Sequence, residues 1–140
     1  MKTNNELIRE ILKIVELIPC GEVITVSKLA EMLKDYSIED ILSMVSLLNR
    51  EHYIIIVDKS GYNDSDVFRE NKIKCLTERG YRALDVIRED RIWNLMKEKI
   101  TNFDDFSFFM ISSLASKIIN DEHNELFNIK SNSFVEYSRW

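Results

Sequence analysis

The stretch Thr25–Leu76, TVSKLAEMLKDYSIEDILSMVSLLNREHYIIIVDKSGYNDSDVFRENKIKCL, decides how the rest of the 140-residue chain is read. Thr25 stands as an N-cap before Val26–Lys34, where Leu29, Met32 and Leu33 share a helical face and Ala30 permits close packing. Asp35-Tyr36 turns the chain. Ser37 then caps a second helix running to about Arg50, with Asp40 three residues on as in a capping box and Ile38, Ile41, Leu42, Val45 and Leu48 on its apolar side. Glu51-His52 follows, where glycine is the usual residue for turning left-handed. Histidine is among the few other types tolerated at positive φ, so His52 reads as a helix terminus rather than a catalytic base. Tyr53–Val57 is a β-branched and aromatic run, expected as a strand buried on both faces or nearly so. Residues 58–66, DKSGYNDSD, hold turn chemistry. Within Val67–Leu76, Ile73 and Cys75 alternate with Lys72 and Lys74 as a second strand.

Two short helices, a strand, a polar loop and a strand make the order of a winged helix-turn-helix, with the loop as wing. Outward from it, Leu7, Ile11, Val15 and Ile18 predict a first helix from Asn5 to Ile18, capped by Thr3, Asn4 or Asn5 and ended by Pro19 and Gly21. Glu22-Val23-Ile24 predicts a short strand beside the wing. Thr77 caps a further helix covering Arg79 to about Ile100, whose apolar stripe is interrupted by four charges at Arg88–Arg91, so a kink or junction is expected there. Thr101–Asp104 breaks and re-caps the chain before a last helix ending near Asn120. The fold class expected is α+β and mostly helical: a winged-helix core over 1–76, a two-helix C-terminal extension over 77–120, and an aromatic tail or dimerisation arm over 121–140.

Composition narrows the function. The formal charge is −5 and the sequence pI about 5.1, so contact with nucleic acid would need a local basic patch. Residues 1–58 carry net −4 and residues 92–140 net −2, whereas 59–91 carry net +1. Only the wing region is not acidic. Cys20 and Cys75 lie in no metal-like spacing and read as buried free thiols of a reducing cytoplasm. The opening MKTNNELIRE has no apolar leader, and no apolar run approaches the ~18 residues of a membrane span, so a cytoplasmic protein is expected.

The segment LTERGYRALDVIREDRIWNLMKEK, residues 76–99, resembles the pattern L-T-x-x-G-x-x-x-L-D-x-I-R-x-D-x-x-W-x-x-x-K-x-K of an uncharacterised family of small bacterial and prophage proteins. The matching positions are Leu76, Thr77, Gly80, Leu84, Asp85, Ile87, Arg88, Asp90, Trp93, Lys97 and Lys99. The resemblance implies a winged helix with a helical extension and a mobile-element context, and no mechanism. Within the segment, Gly80 is placed where a wing strand passes close to a helix. Asp85, Arg88 and Asp90 are expected, with Trp93, as a charged lock holding the extension against the wing.

Catalytic constellations are lacking. His52 and His123 have no ligand-like partners, the glycines at 21, 61 and 80 are isolated, and no serine lies in a nucleophile elbow. No enzyme activity, metal or cofactor is expected. For a DNA-binding regulator, the second helix of the motif offers Ser37, Ser43 and Arg50, preceded by Lys28 and Lys34. The wing and the helix behind it offer Lys59, Arg69, Lys72, Lys74, Arg79 and Arg82 for phosphates. Glu39 and Asp40 oppose this reading, because they face a phosphate-lined groove. The rival reading is an acidic protein-interaction module that binds a basic host protein. Trp93, Phe106, Phe109, Phe127, Phe134, Tyr137 and Trp140 are the expected interface aromatics, and a homodimer is the expected assembly.

Overall fold

Helix α1 (Asn5–Glu16) buries one broad apolar face, with Leu7, Ile8, Ile11, Leu12 and Val15 at most 1% exposed. Asn4 caps it, its side-chain oxygen accepting from the Leu7 amide at 3.0 Å. The elements that follow are β1 (Ile24–Thr25), α2 (Val26–Met32), α3 (Ile38–Arg50), β2 (Ile54–Val57), β3 (Lys72–Leu76), α4 (Glu78–Ile87) and α5 (Asp90–Lys99). A 3-10 turn (Phe103–Asp105) leads into α6 (Phe108–Ser131). This computed structural model describes residues 3–57 and 72–131, with side chains through Asn124. The expected wing turn at 58–66, Lys59 and Arg69, and Phe134, Tyr137 and Trp140 lie outside the described residues, as does the Phe127 side chain.

The chain is α+β and mostly helical, with one small antiparallel sheet of order β1-β3-β2. Ile24 pairs with Ile73 and Thr25 with Lys72 on one side of β3. On the other side Ile54 meets Leu76 and Val57 meets Lys72, with a register irregularity between Ile55 and Ile56. Only one face of β2 is covered. Ile54 and Ile56 are buried while Ile55 is 41% exposed, which corrects the expectation of a strand buried on both faces. An edge strand on a one-sided sheet alternates, and the β-branched run reports strand propensity rather than double burial.

Caps expected from the sequence form at Thr25, Ser37 and Thr77, which accept from the amides of Lys28, Asp40 and Gly80. His52 closes α3 at φ +66°, with the Tyr53 amide on the Leu48 carbonyl at 2.8 Å and the His52 amide on the Asn49 carbonyl at 3.1 Å. The next helix docks on this turn. The Thr77 amide donates to the Tyr53 carbonyl at 3.0 Å, and the Thr77 hydroxyl donates to the His52 carbonyl at 2.6 Å. A Cβ at Gly80 would stand 2.2 Å from the Tyr53 oxygen, so only glycine fits.

The C-terminal part differs from expectation in number of helices and in length. It has three helices rather than two, because the charged run splits the long pattern into α4 and α5. The residue that re-caps the chain is Ser107, whose oxygen accepts from Met110 at 3.2 Å, and α6 continues past Asn120 to Ser131. No glycine or proline stops it. Glu122 is held on α6 by two 2.8 Å bonds from Arg91. Buried residues from α1 to α6 and the sheet form one cluster, so residues beyond 76 share the core of those before it.

Two chain breaks are satisfied from α1. Arg9, 4% exposed, donates from Nε to the Ile87 carbonyl and from Nη2 to the Arg88 carbonyl, each at 2.8 Å, and to Asp90 at 2.7 Å. Its guanidinium also lies 5.1 Å from the Trp93 ring centroid. Asn5, fully buried, donates from Nδ2 to the Phe103 and Phe106 carbonyls at 3.1 and 3.0 Å, while its Oδ1 has no partner. The lock foreseen around Asp85, Arg88 and Asp90 therefore closes on α1 rather than on the wing: Arg88 pairs with Glu16 at 2.5 Å and with Asp85 at 3.1 Å.

These contacts set expected outcomes in urea unfolding. On helix propensity alone Gly80→Ala would stabilise by about 1 kcal/mol. The overlap with backbone reverses the sign, and a net loss of about 2 kcal/mol or more is expected. Arg9→Met strands two helix-end carbonyls and is expected to cost about 3 kcal/mol, whereas Asp90→Asn costs far less, since Asp90 is 81% exposed. Hydrogen bonds from Arg88, Arg9 and Arg91 hold the Glu16, Asp90 and Glu122 carboxyls below their ordinary values. Depressed folded values stabilise above the unfolded ones, so this contribution is complete above about pH 4.5 and is lost as pH falls through the folded values. Glu16→Gln is expected to flatten the acid limb of a stability–pH curve.

Candidate nucleic-acid interface

The outer side of α3 begins with acid. Glu39 and Asp40 are exposed in its first turn, where the helix dipole favours carboxylates. The Ser37 oxygen is occupied by the Asp40 amide at 3.1 Å, Ser43 is half-buried, and Arg50 is exposed at the far end. A base-reading surface on α3 is thus a mixture of carboxylates and small hydroxyls, with its cation in the last turn.

The sheet brings some of the expected cations together. β3 turns Lys72 and Lys74 outward while Ile73 is fully buried between them. Lys72 pairs with Thr25, the cap of α2, and Lys28 lies one turn into that helix. Lys28 is held by Glu31 at 3.5 Å on its own helix. Lys34, Arg50 and Lys74 are exposed and make no ion pair among the described residues. Lys72 and Lys74 thus share the exposed side of β3, and Lys28 lies on the helix that begins at the strand partner of Lys72.

Arg79 and Arg82 do not join it. Both line a hollow against α6. Arg82 pairs with Glu78 on the same helix, and Arg79 lies on aromatic rings. Among the expected interface aromatics, Trp93 is a correction. It is 1% exposed, packed edge-on to Phe103 at 5.0 Å, and its indole N–H donates to Glu6 at 2.5 Å. An amphipathic ring with a carboxylate in reach is satisfied inside the chain. Phe106 is half-buried against the core, and Phe109 is 60% exposed.

Sequence reasoning missed Asn5, Arg9 and Glu6 as organising groups. A signal existed: Asn5, Arg9, Leu12 and Glu16 fall on one helical stripe, so polar side chains border buried leucine. Among the described residues no cluster of His, Cys, Asp or Glu is arranged to hold a metal, and no helix is long and apolar enough to cross a membrane.

No curated protein and no solved structure matches the chain. The family described as "Hypothetical protein (DUF2513)" matches residues 2–105, a span reaching from the start of α1 through the 3-10 turn and including the segment around Gly80 and Trp93. With most of its length matched, the chain belongs to the DUF2513 family, a family of unknown function.

Proposed function

We propose that residues 5–76 form a winged helix and that the protein binds double-stranded DNA, as a transcriptional regulator of prophage or mobile-element origin. What supports this is the order α1-β1-α2-α3-β2-β3 with sheet order β1-β3-β2, combined with lysines turned outward on β3 beside the start of α2. In the usual docking of such a motif the second helix enters the major groove and the hairpin meets the backbone. Here Lys28, Lys72 and Lys74, with Lys34 and Arg50, neutralise phosphates. Ser43 and Asn49 reach toward base edges, and Glu39 and Asp40 accept from cytosine amines. Homodimerisation through α6, on which Met110 is 51% exposed, would match a two-fold operator.

A second reading is favoured by the same exposed acids. Glu39 and Asp40 at the front of α3, in a chain of net charge −5, suit a module that binds a basic host protein.

Binding to random duplex DNA separates the two. The expected result is measurable binding at ~50 mM salt that weakens steeply toward ~200 mM. Lys72→Ala with Lys74→Ala is expected to reduce the log–log salt slope by about 2, one contact for each lysine. Glu39→Gln with Asp40→Asn is expected to tighten binding to random duplex, where few cytosine contacts offset the repulsion between these carboxylates and the phosphates. Absence of binding at ~50 mM salt sinks the DNA reading and leaves the protein-binding one.

A further inference from the structure

Arg79 differs from its neighbours in how its charge is held. Arg9, Arg82, Arg88 and Arg91 each meet a carboxylate. Arg79 meets none among the described residues. Its guanidinium lies 4.5 Å from the Tyr53 ring centroid and 5.5 Å from that of Phe109, and one Nη donates to the Tyr53 hydroxyl at 3.0 Å. Tyr53 is 2% exposed and braced edge-on by Phe108 at 5.2 Å, so the platform under the arginine is fixed. A planar cation oriented by stacking, with N–H donors left over, is prepared for a bidentate oxyanion.

Two adjoining hollows share Tyr53, Arg79 and Phe109. The one of about 410 Å³ includes Glu51, which repels anions. The other, about 260 Å³, lies between α4 and α6 and is lined also by Arg82, Val86, Ser112, Ser113 and Ser116. Ser112 donates to the Phe109 carbonyl at 3.0 Å and keeps its oxygen as an acceptor. Glu78 offsets part of the Arg82 charge. Phe109, 60% exposed, and Val86 supply apolar surface beside these donors, the mixture typical of small-ligand sites.

We propose that the hollow between α4 and α6 binds a small ligand bearing a phosphate monoester on an aromatic body. Arg79 and Arg82 take the phosphate with the hydroxyls of Ser113 and Ser116, whose protons are not committed as that of Ser112 is, and Phe109 and Val86 cover the ring. This site is separate from the lysines of the sheet and does not depend on DNA binding.

Phenyl phosphate is a suitable probe, titrated into the full chain and followed by thermal unfolding and ³¹P NMR. A saturable rise in Tm is expected, with inorganic phosphate and phenol each binding about tenfold more weakly. Arg79→Lys keeps the charge and loses the fork, and should weaken phenyl phosphate about tenfold. Ser116→Asp, which sets a like charge in the hollow, should abolish binding, while Lys72→Ala with Lys74→Ala leaves it unchanged. The proposal is overturned if phenyl phosphate gives no saturable effect on the folded wild-type chain. It is equally overturned if inorganic phosphate binds as well, or if Arg79→Lys and Ser116→Asp bind like wild type.

Discussion

The guanidinium of Arg9, seated on the carbonyls at the end of α4, is the contact on which the C-terminal half depends. A helix that stops leaves carbonyl groups without partners, and a chain that stops twice in quick succession does so at both breaks. Here α1 answers both. Arg9 serves the α4–α5 junction, and Asn5, one turn earlier, serves the segment between α5 and α6. Polar groups in a buried face are costly when unmatched. Matched, they fix the register of α4, α5 and α6 against α1 in a way that leucines alone would not. The unpartnered Oδ1 of Asn5 is the one place where this matching is incomplete among the described side chains.

Tyr53 does comparable work on the other side of the molecule. Its amide closes α3, its carbonyl receives Thr77 and excludes any side chain at Gly80, and its ring carries Arg79. The end of α3 and the start of α4 are thereby one unit. Cations split accordingly. Those on β3 and α2 face outward around the sheet, and those of α4 are turned to α6.

Much of the fold was legible because it is written locally. Thr25, Ser37 and Thr77 cap where short-range side-chain chemistry says they should, and His52 takes positive φ where the chain must turn. Gly80 was legible as a close approach, although which atom approaches was not. What could not be read was tertiary choice. Trp93 on a helix face looks the same whether a neighbouring carboxylate takes its N–H inside the chain or a partner protein does outside it. Likewise the charged run at Arg88–Arg91 signals a break without saying that Arg9, far away in sequence, would satisfy it. The full length of α6 is not legible either: its polar turns beyond Asn120 look like tail, and only the pairing of Glu122 with Arg91 on α5, with no Gly or Pro to stop the helix, carries it on. Of the candidate site, residue types were legible but their grouping was not: only the pairing of Thr25 with Lys72 brings the start of α2 beside the lysines of β3.

The sheet's outer strands have a bearing on self-association. β1 is two residues long, and β2 is four residues long and interrupted in register between Ile55 and Ile56. A template for adding a strand needs a run of evenly spaced, unpaired amides and carbonyls, and among the described residues neither border supplies one. Among the described residues, growth of the sheet from chain to chain is opposed by the shortness and irregularity of its borders rather than by charge.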